Sequence, residues 1–182
     1  MSRIPTPASV SDAPAASQPL LDNVKKSLGS VPNMFRIVST SPAALEGYLS
    51  LSGALGKGKL DPVTRERIAL AVAQLNGCSY CLAAHTYLGT NIAKLSPAEI
   101  EANRRGGSTD AKADAAVKFA AEIVRDRGRV SAAAIEDVKV AGYSDEEIVE
   151  IVLHVSLNTL TNYVNEVLGT EVDFPEASDL AA

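Results

Sequence analysis

The sequence predicts an all-α helical bundle, and three observations predict it. Apolar residues recur at helical spacing along most of the chain, with no strand-like alternation bounded by hairpin signals. Helix-start signals such as Asp61-Pro62, Ser96-Pro97-Ala98-Glu99 and Ser144-Asp145-Glu146-Glu147 alternate with glycines placed to end helices, among them Gly29, Gly77, Gly128, Gly142 and Gly169. The 182 residues, 46% hydrophobic and 21% charged, suit one globular domain that buries roughly 70% of its unfolded surface without disulfide or metal staples.

In chain order, residues 1–17 are rich in Pro, Ser and Ala and read as a flexible leader ahead of an 18–175 helical domain. A short amphipathic helix over 18–28 ends at Gly29. One or two helical turns fit before Pro42. Residues 42–55 carry Ala44, Leu45, Tyr48, Leu49, Leu51 and Leu55 at helical spacing, and the run GKGK stops them. Asp61 as N-cap and Pro62 at the first helical position open the next helix. It holds Ile68, Ala69, Leu70, Ala71, Val72 and Ala73, is apolar nearly all round, and so belongs in the core; Asn76-Gly77 ends it. A further helix starts near Cys78 or Ser79 and runs through His85 to about Leu88, with Gly89 as a stop or weak point. Short helices follow from Ser96 to Gly106-Gly107, over 110–127, and from Ser131 to Gly142. A capping box opens the longest helix, 145–168, closed by Gly169. The acidic end of the chain reads as irregular, with 176–182 as a tail outside the domain.

Composition narrows the function. Lys plus Arg number 17 against 22 for Asp plus Glu, a net charge of −5, so no basic excess attracts a phosphate backbone and no nucleic-acid partner is expected. Aromatics are 4% with no Trp, which argues against base-stacking platforms. The longest apolar run, IALAVAQL, falls far short of the ~18 residues of a membrane span, and no signal-peptide core is visible. The expected setting is a reducing cytoplasm, where a close Cys pair more often means redox chemistry or a metal than a structural bridge.

That pair is Cys78 and Cys81, followed by His85: C-x-x-C-x-x-x-H. Two Cys at i and i+3 of a regular helix have Cβ atoms about 5–6 Å apart, whereas a disulfide wants about 3.5–4.5 Å. A bond forms more easily when the first Cys lies at the cap, where Gly77 places Cys78. Cys81 then lies in the first turn, where free N–H groups and the helix dipole favour a thiolate. His85, at i+4 from Cys81, shares its face and can take the thiol proton. Glu66 reaches the same spot if the two helices pack antiparallel across Asn76-Gly77; near a helix start it equally suits a plain surface position. His154 shares a face with Asn158, and Thr161, Asn162 and Asn165 continue that polar stripe, which lines a cavity or an intersubunit seam; a satisfied structural histidine is the favoured reading there.

The string E-x11-C-x-x-C-x-x-x-H on consecutive helices, flanked by VPNMFRIVSTSPAALEGYLSLSGAL and NTLTNYVNEVLGTEVDFP, resembles the alkylhydroperoxidase AhpD-like branch of the carboxymuconolactone decarboxylase superfamily. The resemblance covers residues 28–175, most of the chain. It implies an AhpD-like helical bundle, oligomeric as a trimer or hexamer, working as a thiol peroxidase without a bound cofactor or metal. It also implies peroxidatic Cys81, resolving Cys78, and a proton relay through Glu66 and His85. The partners it implies are a hydroperoxide and an external dithiol reductant such as a lipoylated protein. AhpD itself has a second His directly before the peroxidatic Cys, where this chain has Tyr80; a phenol donates a hydrogen bond but is a poor base near neutral pH. Three other readings remain. Cys78, Cys81, His85 and His154 could hold Zn²⁺; the chain could be a cofactor-free lyase like the decarboxylase that names the superfamily, which needs no Cys pair; or it could be a scaffold whose pair oxidises without turnover.

Overall fold

The structure, a computed structural model, describes residues 2–180. Met1 at the start of the leader, and Ala181 and Ala182 at the end of the tail, lie outside the described residues. Within them the regular structure is helical throughout: a 3-10 turn (Val10–Asp12), then α1 (Gln18–Leu28), α2 (Asn33–Val38), α3 (Pro42–Leu55), α4 (Pro62–Leu75), α5 (Ser79–Asn91), α6 (Pro97–Arg104), α7 (Ala111–Arg125), α8 (Ala132–Val140) and α9 (Asp145–Leu168).

Side-chain caps open most of these helices. Ser41, Asp61, Ser96, Asp110, Ser131 and Ser144 each accept a first-turn backbone N–H, and Ser144 with Glu147 completes a reciprocal capping box. Each cap is worth about 1 kcal/mol against alanine. The α4 helix is the axis of the bundle, packing on α5, α6, α7 and α9. Its residues from Ile68 to Ala73 are all buried, and three of these six are alanines, which let the surrounding helices approach closely. Ile68 and Val72 meet Phe119, Ile151 and Val155 in the largest core cluster, while Ala73 joins a second cluster with Cys78, Tyr80 and Cys81.

Two expectations are corrected. Gly89 does not stop α5, which runs on to Asn91. The glycine is buried, and a Cβ there would stand 3.3 Å from Leu95 Cδ1 and 3.7 Å from Leu70 Cδ1, so it serves close packing against α4 rather than termination. Nor is the described part of the 1–17 leader loose. Arg3 donates from its backbone N–H to the Leu168 carbonyl (2.7 Å) and from Nη1 to the Val167 carbonyl (2.9 Å). Arg36 donates to the carbonyls of Pro7 and Ala8, and the buried Ser17 hydroxyl donates to the Ser39 carbonyl at 2.7 Å. Ala13 packs with Leu21 and Leu45. Composition missed this because the anchors are hydrogen bonds to main-chain carbonyls of residues distant in the sequence. The segment after α9 is irregular, as expected, but it too is tied down, by Asp173, Phe174 and the Ser178 carbonyl, which accepts from Arg104 Nη1.

The α9 helix has two unlike faces. Inward, His154, Asn158, Thr161, Asn162 and Asn165 are buried. Outward, Val149, Leu153, Leu160, Tyr163 and Val167 are exposed, Tyr163 and Val167 by 61% and 62%. Among the described residues no helix is long and apolar enough to cross a membrane.

Candidate redox site

The site is built on the turn between α4 and α5. Gly77 adopts φ +68°, a left-handed conformation that glycine reaches without Cβ strain. The chain then reverses, and the Cys78 N–H donates to the Ala73 carbonyl at 3.0 Å. Cys78 is extended and is the N-cap of α5: its Sγ accepts from the Cys81 N–H at 3.2 Å, the place usually held by a Ser or Asp oxygen. Cys81 therefore sits in the first turn, as the spacing predicts. Both cysteines are free thiols and almost wholly buried, 1% and 3% exposed.

The two sulfurs are unequal. The Cys78 thiol pulls the Cys81 pKa below its ordinary range; burial opposes the shift, and the hydrogen bond from the Asn165 amide, the nearby Asn162 amide and the charge of His85 assist it. Asn165 Nδ2 stands 3.2 Å from Cys81 Sγ. The same pairing with Cys81 pushes the Cys78 pKa up, as do burial and the nearby Cys81 charge. The negative charge belongs on Cys81 and the proton on Cys78.

Beside them, His85 Nδ1 and Glu66 Oε2 are 2.9 Å apart across α4 and α5. The two side chains are 21% and 24% exposed, the edge of the site that meets solvent. Burial pushes the His85 pKa down, but the charge and hydrogen bond of Glu66, with the charge of Cys81, outweigh it and hold the imidazole above its usual value. With Nδ1 engaged by the carboxylate, Nε2 is left for proton exchange. The structure thus brings Glu66, Cys78, Cys81 and His85 together.

Tyr80 faces other work. Its hydroxyl accepts from the Met34 N–H (3.1 Å) and donates to Asp173 Oδ1 (2.8 Å), while its ring meets Phe174 edge-on with centroids 5.8 Å apart. Asp173 Oδ2 also accepts from the Asn33 N–H. Tyr80 joins α5 to the start of α2 and to the chain after α9, and burial pushes its pKa up. His154 is also apart from the sulfurs. It is buried, its Nε2 has no hydrogen-bond partner among the described residues, and burial followed by Arg65 pushes its pKa down to about 4 against weaker pulls from Glu150 and Glu66. It is a neutral imidazole. Among the described residues no three His, Cys, Asp or Glu side chains group so as to hold a metal, so the four zinc ligands weighed from sequence do not assemble.

Sequence reading passed over several groups at the sulfurs. Asn165 and Asn162 were visible only as members of a stripe; the usable signal was a row of amides inside an otherwise apolar helix. Met34, Phe35, Tyr48 and Phe174, which pack around Cys78 and Cys81, come from α2, α3 and the segment after α9, and carry no local mark. Burial raises the Tyr48 pKa to about 12, and charges at Cys81 and Glu66 add to this, so its phenol stays protonated.

Comparison with known proteins agrees with the fold. Residues 42–126 match the carboxymuconolactone decarboxylase family. A protein of Haemophilus influenzae described as uncharacterized is 41% identical over 64 residues, 35% of this chain; the match spans about half that relative's length, 51%. An uncharacterized peroxidase-related protein of Ralstonia eutropha JMP134 with an alkylhydroperoxidase AhpD core superposes with TM-score 0.84 at 23% identity, covering 94% of this chain and 92% of the other. A peroxidase-related protein of Silicibacter sp. TM1040 gives TM-score 0.80 at 25% identity, over 93% and 92%. The debrominase Bmp8, in complex with 2,3,4-tribromopyrrole, shares the fold with TM-score 0.79 at 20% identity, over 95% and 94%.

Proposed function

We propose that the chain is a member of the AhpD-like branch of the carboxymuconolactone decarboxylase superfamily and a thiol peroxidase that reduces hydroperoxides through Cys81 and Cys78; the family match over residues 42–126 and the fold shared with peroxidase-related proteins support this reading. The observation that carries this reading is the arrangement of the pair: a Cys81 sulfur hydrogen-bonded by Asn165 in the first turn of a helix, with Cys78 at its cap and the His85–Glu66 pair beside it.

Each step balances. The Cys81 thiolate attacks the terminal oxygen of ROOH; the S–O bond forms, the O–O bond breaks, and Cys81 becomes a sulfenic acid. The leaving alkoxide takes a proton from His85, whose imidazolium Glu66 stabilises. Cys78 then loses its proton to the neutral imidazole and attacks the Cys81 sulfur. The S–S bond forms, and the hydroxide leaves as water on taking that proton back. An external dithiol, such as a lipoylated protein, reduces the disulfide by exchange and is itself oxidised. The sum is one hydroperoxide and one dithiol converted to alcohol, water and one disulfide. No bound metal or cofactor enters any step.

Two further parts of the reading follow. The exposed α9 residues Val149, Leu153, Leu160, Tyr163 and Val167 step by three to four and seven, a seam that suits a second copy of the chain; the assembly is a homo-oligomer, a trimer or hexamer. Thiol turnover requires reduced cysteines at rest, which suits the cytoplasm. The test uses two variants with a hydroperoxide and a sulfenic-acid trap. Cys81→Ser abolishes the reaction, and Cys78→Ser yields a trappable sulfenic acid at Cys81. The reverse pattern exchanges the roles. Reaction surviving in the double Cys→Ser variant removes the sulfurs from the chemistry and favours a lyase.

A further inference from the structure

We infer that the inner face of α9 supplies the hydroperoxide-binding groups of this site: the side-chain amides of Asn162 and Asn165, which offer one unpaired donor and one unpaired acceptor at the Cys81 sulfur. The inference rests on the peroxidase reading and deepens it.

The two amides are wholly enclosed, 0% and 2% exposed. Asn165 Nδ2 donates to Cys81 Sγ, and its Oδ1 has no hydrogen-bond partner among the described residues. Asn162 is held the opposite way round. Its Oδ1 accepts from Asn76 Nδ2 at 2.8 Å, and Asn76 stands two residues before Cys78 on the α4–α5 turn. That bond fixes which end of the Asn162 amide faces the turn. Its Nδ2 is left with no partner among the described residues, and its amide acts on the same Cys81 sulfur.

Buried polar side chains in native proteins are nearly all hydrogen-bonded, so exceptions need a reason. Here a donor and an acceptor on residues three apart are both unpaired beside a nucleophile. A hydroperoxide is their complement. Its terminal O–H donates to Asn165 Oδ1, and its inner oxygen accepts from Asn162 Nδ2. When the Cys81 thiolate attacks the terminal oxygen, that oxygen leaves with its hydrogen as the sulfenic acid, and charge grows on the inner oxygen. The Asn162 N–H is then a fixed dipole at the place where charge develops. Met34, Phe35, Tyr48 and Phe174 surround the sulfurs with apolar surface, so the substrate class is an organic hydroperoxide, with its carbon end among these side chains. An amide donor serving only the thiolate would act on every electrophile alike; a donor serving the peroxide acts on peroxide alone.

The experiment compares two electrophiles on the full-length reduced protein over a range of pH: tert-butyl hydroperoxide and iodoacetamide. The variants are Asn162→Leu, and Asn162→Asp, which keeps the size and the bond from Asn76 but has no N–H to donate. Thiolate fractions come from the iodoacetamide pH profile. For each variant that folds, the peroxide rate per thiolate falls about 10- to 100-fold, while the iodoacetamide rate per thiolate changes by less than about 3-fold. Equal losses with both reagents, or no loss with either, overturn the inference and leave the peroxidase reading standing. A wild-type protein that reacts quickly with iodoacetamide, but with the peroxide no faster than free cysteine, overturns the peroxidase reading itself and the inference with it.

Discussion

Replacing Cys78 by alanine should make Cys81 a weaker acid. The Cys78 thiol is the largest influence lowering the Cys81 pKa, and its sulfur is also the N-cap acceptor for the Cys81 N–H at 3.2 Å. A hydrogen bond to a charged group contributes about 1.5–3 kcal/mol, and one pKa unit corresponds to about 1.4 kcal/mol. Cys78→Ala should therefore raise the Cys81 pKa by about 1–2 units. It also removes the cap, at a cost of about 0.5–2 kcal/mol in stability. Cys78→Ser keeps a hydroxyl that both donates and accepts, so it should shift the pKa far less and retain the cap. The assay is alkylation rate against pH for the two variants, with urea unfolding alongside. The alanine profile should lie to the alkaline side of the serine profile, and the alanine protein should unfold at lower urea. Coincident pH profiles would refute the assignment of the proton to Cys78 and of the charge to Cys81.

Four other outcomes are expected. Tyr80→Phe strands the Met34 N–H and deprives Asp173 of a donor, so it should lower stability by about 2–4 kcal/mol in urea unfolding while leaving the alkylation pH profile of Cys81 in place; a shifted profile with unchanged stability would put Tyr80 in the relay. His154 has a folded pKa of about 4 against about 6.5 unfolded. The unfolded chain therefore takes up the proton first, and stability falls by up to about 3 kcal/mol as pH drops from 6.5 to 4; His154→Gln should flatten that part of the unfolding-versus-pH curve. His85, whose pKa is raised by Glu66, works with the opposite sign: its contribution is full below pH 6.5 and is lost as pH rises through the folded value. Leu160→Glu places a charge in the exposed α9 seam and should shift sedimentation toward the monomer, whereas an unchanged assembly would move the interface elsewhere.

The fold was largely legible because its signals are local. Six of the helix starts carry a Ser or Asp that caps through its side chain, and the hydrophobic period supplied the rest. Gly89 misled because one residue type serves two purposes; its buried place against Leu70 and Leu95 decides between them, and that contact lies outside its own helix. The segment before α1 misled because Arg3 and Ser17 are held by distant carbonyls, which leave no trace in composition. At the site, Cys78, Cys81 and His85 are visible from spacing within one helix. Glu66 depends on how α4 meets α5, which the turn at Gly77 settles. Asn165 lies 84 residues from the sulfur it contacts, so its polarity could be read from the sequence but its partner could not.

The central claim is that Cys81 and Cys78 act as one two-electron couple toward hydroperoxides. The most direct measurement titrates the reduced protein with tert-butyl hydroperoxide, counts free thiols, and maps the product by mass spectrometry. One equivalent of peroxide should consume both thiols of each chain and yield an intramolecular Cys78–Cys81 disulfide that a dithiol reverses. Thiols that persist at millimolar-scale peroxide, or that are lost without forming that bond, would contradict the claim.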